Sequence, residues 1–352
     1  MRQFIQVTGF IVGIALAGVT SPAKAASCLL VTLTGTMSGP VLQDGVAGAG
    51  TLVRYGDDGN GCGAIKLQFD AGRGTPLRLS QVNVDVGELD AIFFTHMHSD
   101  HTDGFADLMQ TRWNWNSTGP KLDIVCSADA VSVLGFTLSC LNLVAHIGDA
   151  FIKSGEIEQR ISEDKNRLAG GPAALGHVIT FEPRDEPQVV WSKGDVRVSA
   201  IRSTHIAGHV SYRVDTPAGS VVIGGDAGND TVAPPRPTST SAEVEKLAQG
   251  ADVIVHSTMH PVMGERGSGM PPPIYYRQSN TPDLGAMAMR VGAKYLVLTH
   301  LAPQVGASHH GPFKVPGGPL TEADYRKAAQ AGGFNGNIIV GSDLATLRLP
   351  AR

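Results

Sequence analysis

The chain has 352 residues, a formal net charge of −4, only 17 % charged residues and 43 glycines. That length suits one large domain or two small ones, and the composition excludes a disordered or coiled-coil protein in favour of a loop-rich α/β enzyme. The acidic balance offers no basic footprint, so no nucleic-acid partner is expected.

Residues 1–25 open with Arg2, continue as an apolar run from Phe4 to about Val19, and end in small residues around Ala23-Lys24-Ala25. The run is shorter than the roughly 20 apolar residues of a spanning helix. It reads as a signal peptide, which makes the protein periplasmic or secreted, with no membrane insertion after cleavage and a mature domain at 26–352. The runs at 29–34, 51–55 and 65–69 read as strands, the last ending in the turn Asp70-Ala71-Gly72. A short connecting segment at 77–84 precedes an apolar strand at 89–94 that runs into a histidine cluster. Trp113 and Trp115 follow the helix expected next, and either line an apolar pocket or pack in the core. Residues about 147–190 read as an insertion, with an exposed helix at 155–168. Strands follow at 196–201, 210–214, 220–224, 251–255 and 295–299, helices at 241–249 and 283–291, and a Pro-rich loop at 232–241. This alternation argues a layered α/β domain. Four cysteines in an exported chain suit disulfides. Chain order suggests Cys28–Cys62 and Cys126–Cys140, with other pairings and buried free thiols left open.

The strongest chemical signal is Thr95-His96-Met97-His98-Ser99-Asp100-His101. Four potential ligands lie within six residues, directly after a strand. His96 and His98 point to one side of an extended backbone and can share one metal, while Asp100 and His101 on the following turn can face a second. Imidazole and carboxylate at this density suit zinc. Further ligands are expected at strand ends, and His205, Asp226 and His300 meet that condition.

These residues resemble the metallo-β-lactamase superfamily, within it the ribonuclease-Z-like division, and most closely the zinc arylsulfatase branch. The resemblance rests on His96-x-His98-x-Asp100-His101, on the glycine loop Phe69-Asp70-Ala71-Gly72-Arg73-Gly74-Thr75, and on His205 with Ser211-Tyr212-Arg213. It extends through Val221 to Asp226, Leu296 to His300, and the ending Gly336 to Leu344. It implies a four-layer αβ/βα sandwich and two Zn2+ per chain. His96, His98 and His205 would hold the first, Asp100, His101 and His300 the second, and Asp226 would bridge them. The implied reaction is hydrolysis of a small-molecule aryl sulfate or phosphate-type ester, with a metal-bridging hydroxide as nucleophile. A phosphodiesterase, a lactonase or carboxylesterase, and a non-catalytic metal scaffold are the alternatives. Homodimers are common in such a family.

Two departures stand out. The family commonly has Glu where this chain has Ser257, and ribonuclease Z enzymes carry a proton-donating histidine in the loop that here reads Tyr275-Tyr276-Arg277-Gln278-Ser279-Asn280. His256 and His260 remain candidates for leaving-group protonation, beside Asp100 in the catalytic set, with support or packing as the favoured reading of both. His209 lines the site or is a loop residue. His146, His177, His309 and His310 are read as surface or rim residues.

Overall fold

The computed structural model describes residues 26–350, so the expected signal peptide lies outside the described residues. Two seven-stranded sheets face each other. The first runs, edge to edge, through Thr346–Leu349, Ser27–Gly35, Gly50–Asp57, Ile65–Phe69, Ala91–Phe93, Leu122–Ser127 and Gly176–Phe181. The second runs through Asn337–Val340, Tyr295–Ala302, Val253–Met259, Gly219–Ile223, Val210–Thr216, Val196–Arg202 and Gln188–Lys193. Each sheet is part antiparallel and part parallel.

The parallel strands are apolar at successive positions because both of their faces are covered. Val253 and Val255 enter the core between the sheets with Leu29, Phe93 and Tyr212, while Ile254 faces the opposite way. There it meets Leu284 and Met287 of helix Thr281–Arg290 and Tyr325 of helix Glu322–Ala331. The first sheet repeats the scheme: Ala91 and Phe93 face inward, and Ile92 packs under Leu108 and Trp113 of helix Phe105–Asn116. Helix, sheet, sheet, helix is the four-layer αβ/βα sandwich anticipated from the sequence. Phe69 stacks on Phe93 with centroids 4.7 Å apart, and the Tyr212 hydroxyl donates to the Phe94 carbonyl at 2.8 Å, tying the sheets together.

Both anticipated disulfides, Cys28–Cys62 and Cys126–Cys140, are formed. The segment at 77–84 was expected as a connection, but Thr75–Gln81 is a helix. Pro76 pre-sets its first turn, and Leu79 is buried at 0 % exposure. Residues 147–190 hold the helices Asp149–Lys153 and Glu156–Glu163 and then supply an edge strand to each sheet. Trp113 is a core residue whose indole donates to the Leu168 carbonyl, whereas Trp115 is 82 % exposed. Neither lines the cavity described below. Among the described residues no helix is long and apolar enough to cross a membrane.

Candidate metal centre

The loops after several strands meet at one edge of the sandwich. His96 to His101 follow Ala91–Phe93, His205 follows Val196–Arg202, Asp226 follows Gly219–Ile223, and His300 lies within Tyr295–Ala302. His300 has φ +46°, and the pairing with the neighbouring strand skips it, Ser257 meeting Thr299 and Thr258 meeting Leu301. This bulge re-aims the ring out of the sheet. Gly225 also has positive φ, and a Cβ there would stand 2.9 Å from that of Thr95. The turn that delivers Asp226 therefore requires glycine.

The seven side chains converge. His96 Nε2 is 2.9 Å from His98 Nδ1, which is 3.3 Å from His205 Nε2. His300 Nε2 is 3.2 Å from His101 Nε2 and 3.0 Å from Asp100 Oδ2. Asp226 lies between the two groups, with Oδ2 3.7 Å from His205 Nε2 and Oδ1 3.5 Å from His101 Nε2. A tetrahedral ion with bonds near 2.1 Å separates its ligands by about 3.4 Å, and these spacings match such edges.

The surrounding hydrogen bonds fix which nitrogens are free. Asp70, at φ +53°, accepts from the Thr95 N–H, the Thr95 hydroxyl and His101 Nδ1, each at 2.8 Å. With its own proton given to Asp70, the Thr95 hydroxyl can only accept from His96 Nδ1, 3.0 Å away. His96 and His101 thus both point an Nε2 lone pair at the centre. Behind Asp226, His209 Nε2 accepts the Asp226 N–H at 3.1 Å. Its Nδ1–H then starts a chain through the hydroxyls of Ser203 and Ser211 to the Gly224 carbonyl. His209 therefore braces Asp226 from behind and does not line the cavity.

This donor set fits a pair of cations. The His101 lone pair faces another imidazole nitrogen and two carboxylates, a repulsive arrangement unless positive charge sits among them. Asp226 Oδ1 is buried without a hydrogen-bond partner. Burial opposes the charge on Asp226, but His300 and His101 outweigh it and hold its carboxyl well below the usual range. Asp100 is likewise held at about 2, burial being outweighed by its bond to His300 and by His101. Burial lowers His205 to about 3 and His96 well below the ordinary value. Neutral imidazoles and ionised carboxylates are the forms that bind metal. In His101, burial is overcome by Asp226 and Asp70, which raise its affinity for a proton well above normal. The same field attracts a cation.

A cavity of about 400 Å³ opens over the centre. Val41, Met259, Met270, Ile274 and Phe313 give it an apolar wall, and Arg277, Gln278 and His310 add polar groups. Neither candidate proton donor lines it, in keeping with the support-or-packing reading. The His256 ring is fully buried against Gly224, its Nδ1 donating to the Ser257 carbonyl. His260 accepts from the Val262 N–H and packs on Tyr325. Their sequence neighbourhood suggested the site, but the strand Val253–Met259 turns both rings away from it. His310, read from sequence as a rim residue, is 7 % exposed, lines the cavity, and has Nδ1 unpartnered. Sequence reading also missed the roles of Asp70 and Arg277. Asp70 follows Ile65–Phe69 as the other site residues follow their strands, a signal that was available.

A family model described as Anti-Pycsar protein Apyc1 matches residues 62–139. The chain is 27 % identical over 329 residues to ribonuclease Z of Mycobacterium bovis (strain BCG / Pasteur 1173P2), covering 92 % of this chain and 99 % of that protein. Among solved structures it resembles the metallo-β-lactamase fold protein YhfI from Bacillus subtilis, with TM-score 0.57, 18 % identity, and 91 % and 99 % of the two chains covered. It also resembles the short form of human tRNase Z, with TM-score 0.56, 17 % identity, and 92 % and 100 % covered. The end-to-end likeness to ribonuclease Z overturns the expectation, drawn from net charge, that no nucleic acid is a partner. Net charge averages over the whole surface and says nothing about a local site. None of these likenesses singles out an arylsulfatase branch.

Proposed function

We propose that this chain is a metal-dependent hydrolase of the metallo-β-lactamase superfamily, in its ribonuclease-Z-like division, and that it hydrolyses phosphodiesters, of nucleic-acid or nucleotide type. The full-length likeness to ribonuclease Z carries this reading. It favours a phosphodiester over the aryl sulfate that the motif resemblance put first.

His96, His98 and His205 would hold one zinc, and Asp100, His101 and His300 a second, with Asp226 placed between them. When bound, two such cations supply Lewis acidity and ionise water near neutral pH. The chain's own residues do the rest. Asp70 and Thr95 set the tautomers of His96 and His101. His209 fixes the backbone of Asp226. The apolar wall excludes bulk water from the reacting group, which strengthens every electrostatic interaction there. Export belongs to the same proposal, and two disulfides support an oxidising compartment.

The test is a substrate panel on zinc-loaded protein: bis(p-nitrophenyl) phosphate, a precursor tRNA, p-nitrophenyl sulfate and a lactone. The highest kcat/KM is expected on a phosphodiester. Turnover of the sulfate or lactone alone overturns the reading, and full zinc content without turnover favours a non-catalytic scaffold.

A further inference from the structure

One cation in the cavity has no counterion. Arg277 lines the same space as His98, Asp100, His205, Asp226 and His300. Among the described residues its guanidinium has no hydrogen bond or ion pair, and its Nε is buried without a partner. Its backbone is held in place. A Cβ on Gly228 would stand 2.4 Å from the Arg277 carbonyl oxygen, so that loop admits only glycine. Just beyond, the Ser279 hydroxyl donates to the Ala227 carbonyl at 2.7 Å, and the Asn280 N–H donates to Ser239 Oγ at 2.8 Å.

An unpaired guanidinium beside a centre built for two dications is electrostatically unfavourable. Two such ions would outweigh the carboxylates of Asp70, Asp100 and Asp226, and Arg277 adds to the surplus. An anion in the cavity relieves both excesses at once. The residue stands next to Gln278, in the loop where the resembled enzymes carry a proton donor. Arginine cannot donate a proton at neutral pH, but its planar fork matches phosphate oxygens.

We propose that Arg277 is the specificity-determining anion anchor of this site, binding a non-bridging oxygen of the substrate's phosphodiester while Val41, Ile274 and Phe313 receive one nucleoside-sized or aryl group. This inference rests on the phosphodiesterase reading. The cavity volume lies in the range of small-molecule sites, so a polymeric substrate enters by its end.

The experiment uses the zinc-loaded full chain and the variants Arg277→Gln and Arg277→Lys. It compares the anionic bis(p-nitrophenyl) phosphate with the neutral diethyl p-nitrophenyl phosphate, and titrates inorganic phosphate calorimetrically with zinc content checked. Arg277→Gln is expected to lower kcat/KM on the diester about 10- to 100-fold. The loss on the triester should be at least about tenfold smaller, and phosphate affinity should fall about tenfold. Arg277→Lys should recover part of both losses, since it keeps the charge without the fork. Equal losses on both esters, lost zinc, or unchanged phosphate affinity would overturn the assignment. Absence of diester turnover in the wild type sinks the functional reading alone, because phosphate titration still judges Arg277.

Discussion

The two halves of the sandwich build the metal centre in different ways. The N-terminal half contributes His96, His98, Asp100 and His101 from one loop, where six consecutive residues carry four donors. The C-terminal half contributes His205, Asp226 and His300 from three separate places: His205 follows the antiparallel strand Val196–Arg202, while Asp226 and His300 are aligned by the parallel pairing of Gly219–Ile223, Val253–Met259 and Tyr295–Ala302. Their supports differ as well. A single carboxylate, Asp70, holds the first loop through Thr95 and His101. The second half relies on a bulge at His300 and a buried chain from His209 through two serines. A local motif can shape its own loop, whereas scattered donors depend on the whole sheet being correct.

The comparison breaks most sharply at Asp226, the one residue placed between both donor groups. Asp226→Ala should remove at least one zinc by elemental analysis. It should also cut turnover by far more than the roughly 100-fold that loss of a supporting partner costs. Near wild-type activity would refute its bridging position.

Intermediate effects sharpen the contrast between the supports. Asp70→Asn keeps a residue that tolerates the left-handed backbone but puts an amide where three donors converge. His209→Leu removes the acceptor for the Asp226 N–H. Each should weaken zinc binding by about 10- to 100-fold without abolishing it. Asp70→Asn should act mainly on the Asp100, His101 and His300 group. His209→Leu should act on both metals through Asp226. Chelator competition that finds identical patterns for the two variants would show that the halves are not separately braced.

The smallest effect is on acid stability, and there the histidines pull in opposite directions. Burial depresses His205 to about 3 and His209 well below 6.5. An unfolded chain takes up protons on these rings below about pH 6.5, whereas the folded chain keeps them neutral. Their contribution to stability is therefore full above 6.5 and is lost as pH falls towards 3. His96 acts in the same sense. His101, raised by Asp226 and Asp70 against its burial, contributes fully below 6.5 and loses that contribution as pH rises through its elevated value. His98, His256, His260 and His310 are depressed by burial as well, so seven rings against one predict that the metal-free protein melts at a lower temperature at pH 5 than at pH 7.5. Thermal melts showing the reverse would mean that His101 dominates.

Much of the site was legible because its chemistry is written in short strings. His96 to His101 is recognisable from spacing alone, and Asp226 and His300 from their position after apolar runs. The two disulfides match the pairing that chain order suggested, a choice the sequence itself left open. The readings left open share one physical cause, the direction of a side chain. His256 sits in a strand whose period of two decides which face a ring takes. His260 lies just past that strand, and Trp113 and Trp115 sit in a helix whose turn sends one inward and the other to water. Arg277 carries no motif at all.

Sequence by itself determined the layered architecture, the donor types and the loop that carries four of them, because periodicity and local spacing are properties of adjacent residues. Only the tertiary structure decided which nitrogen of each ring faces the centre, that His209 supports Asp226 from behind, and that an unpaired guanidinium overlooks the cluster of candidate ligands. Those facts depend on contacts between residues tens to hundreds of positions apart, which no local pattern encodes.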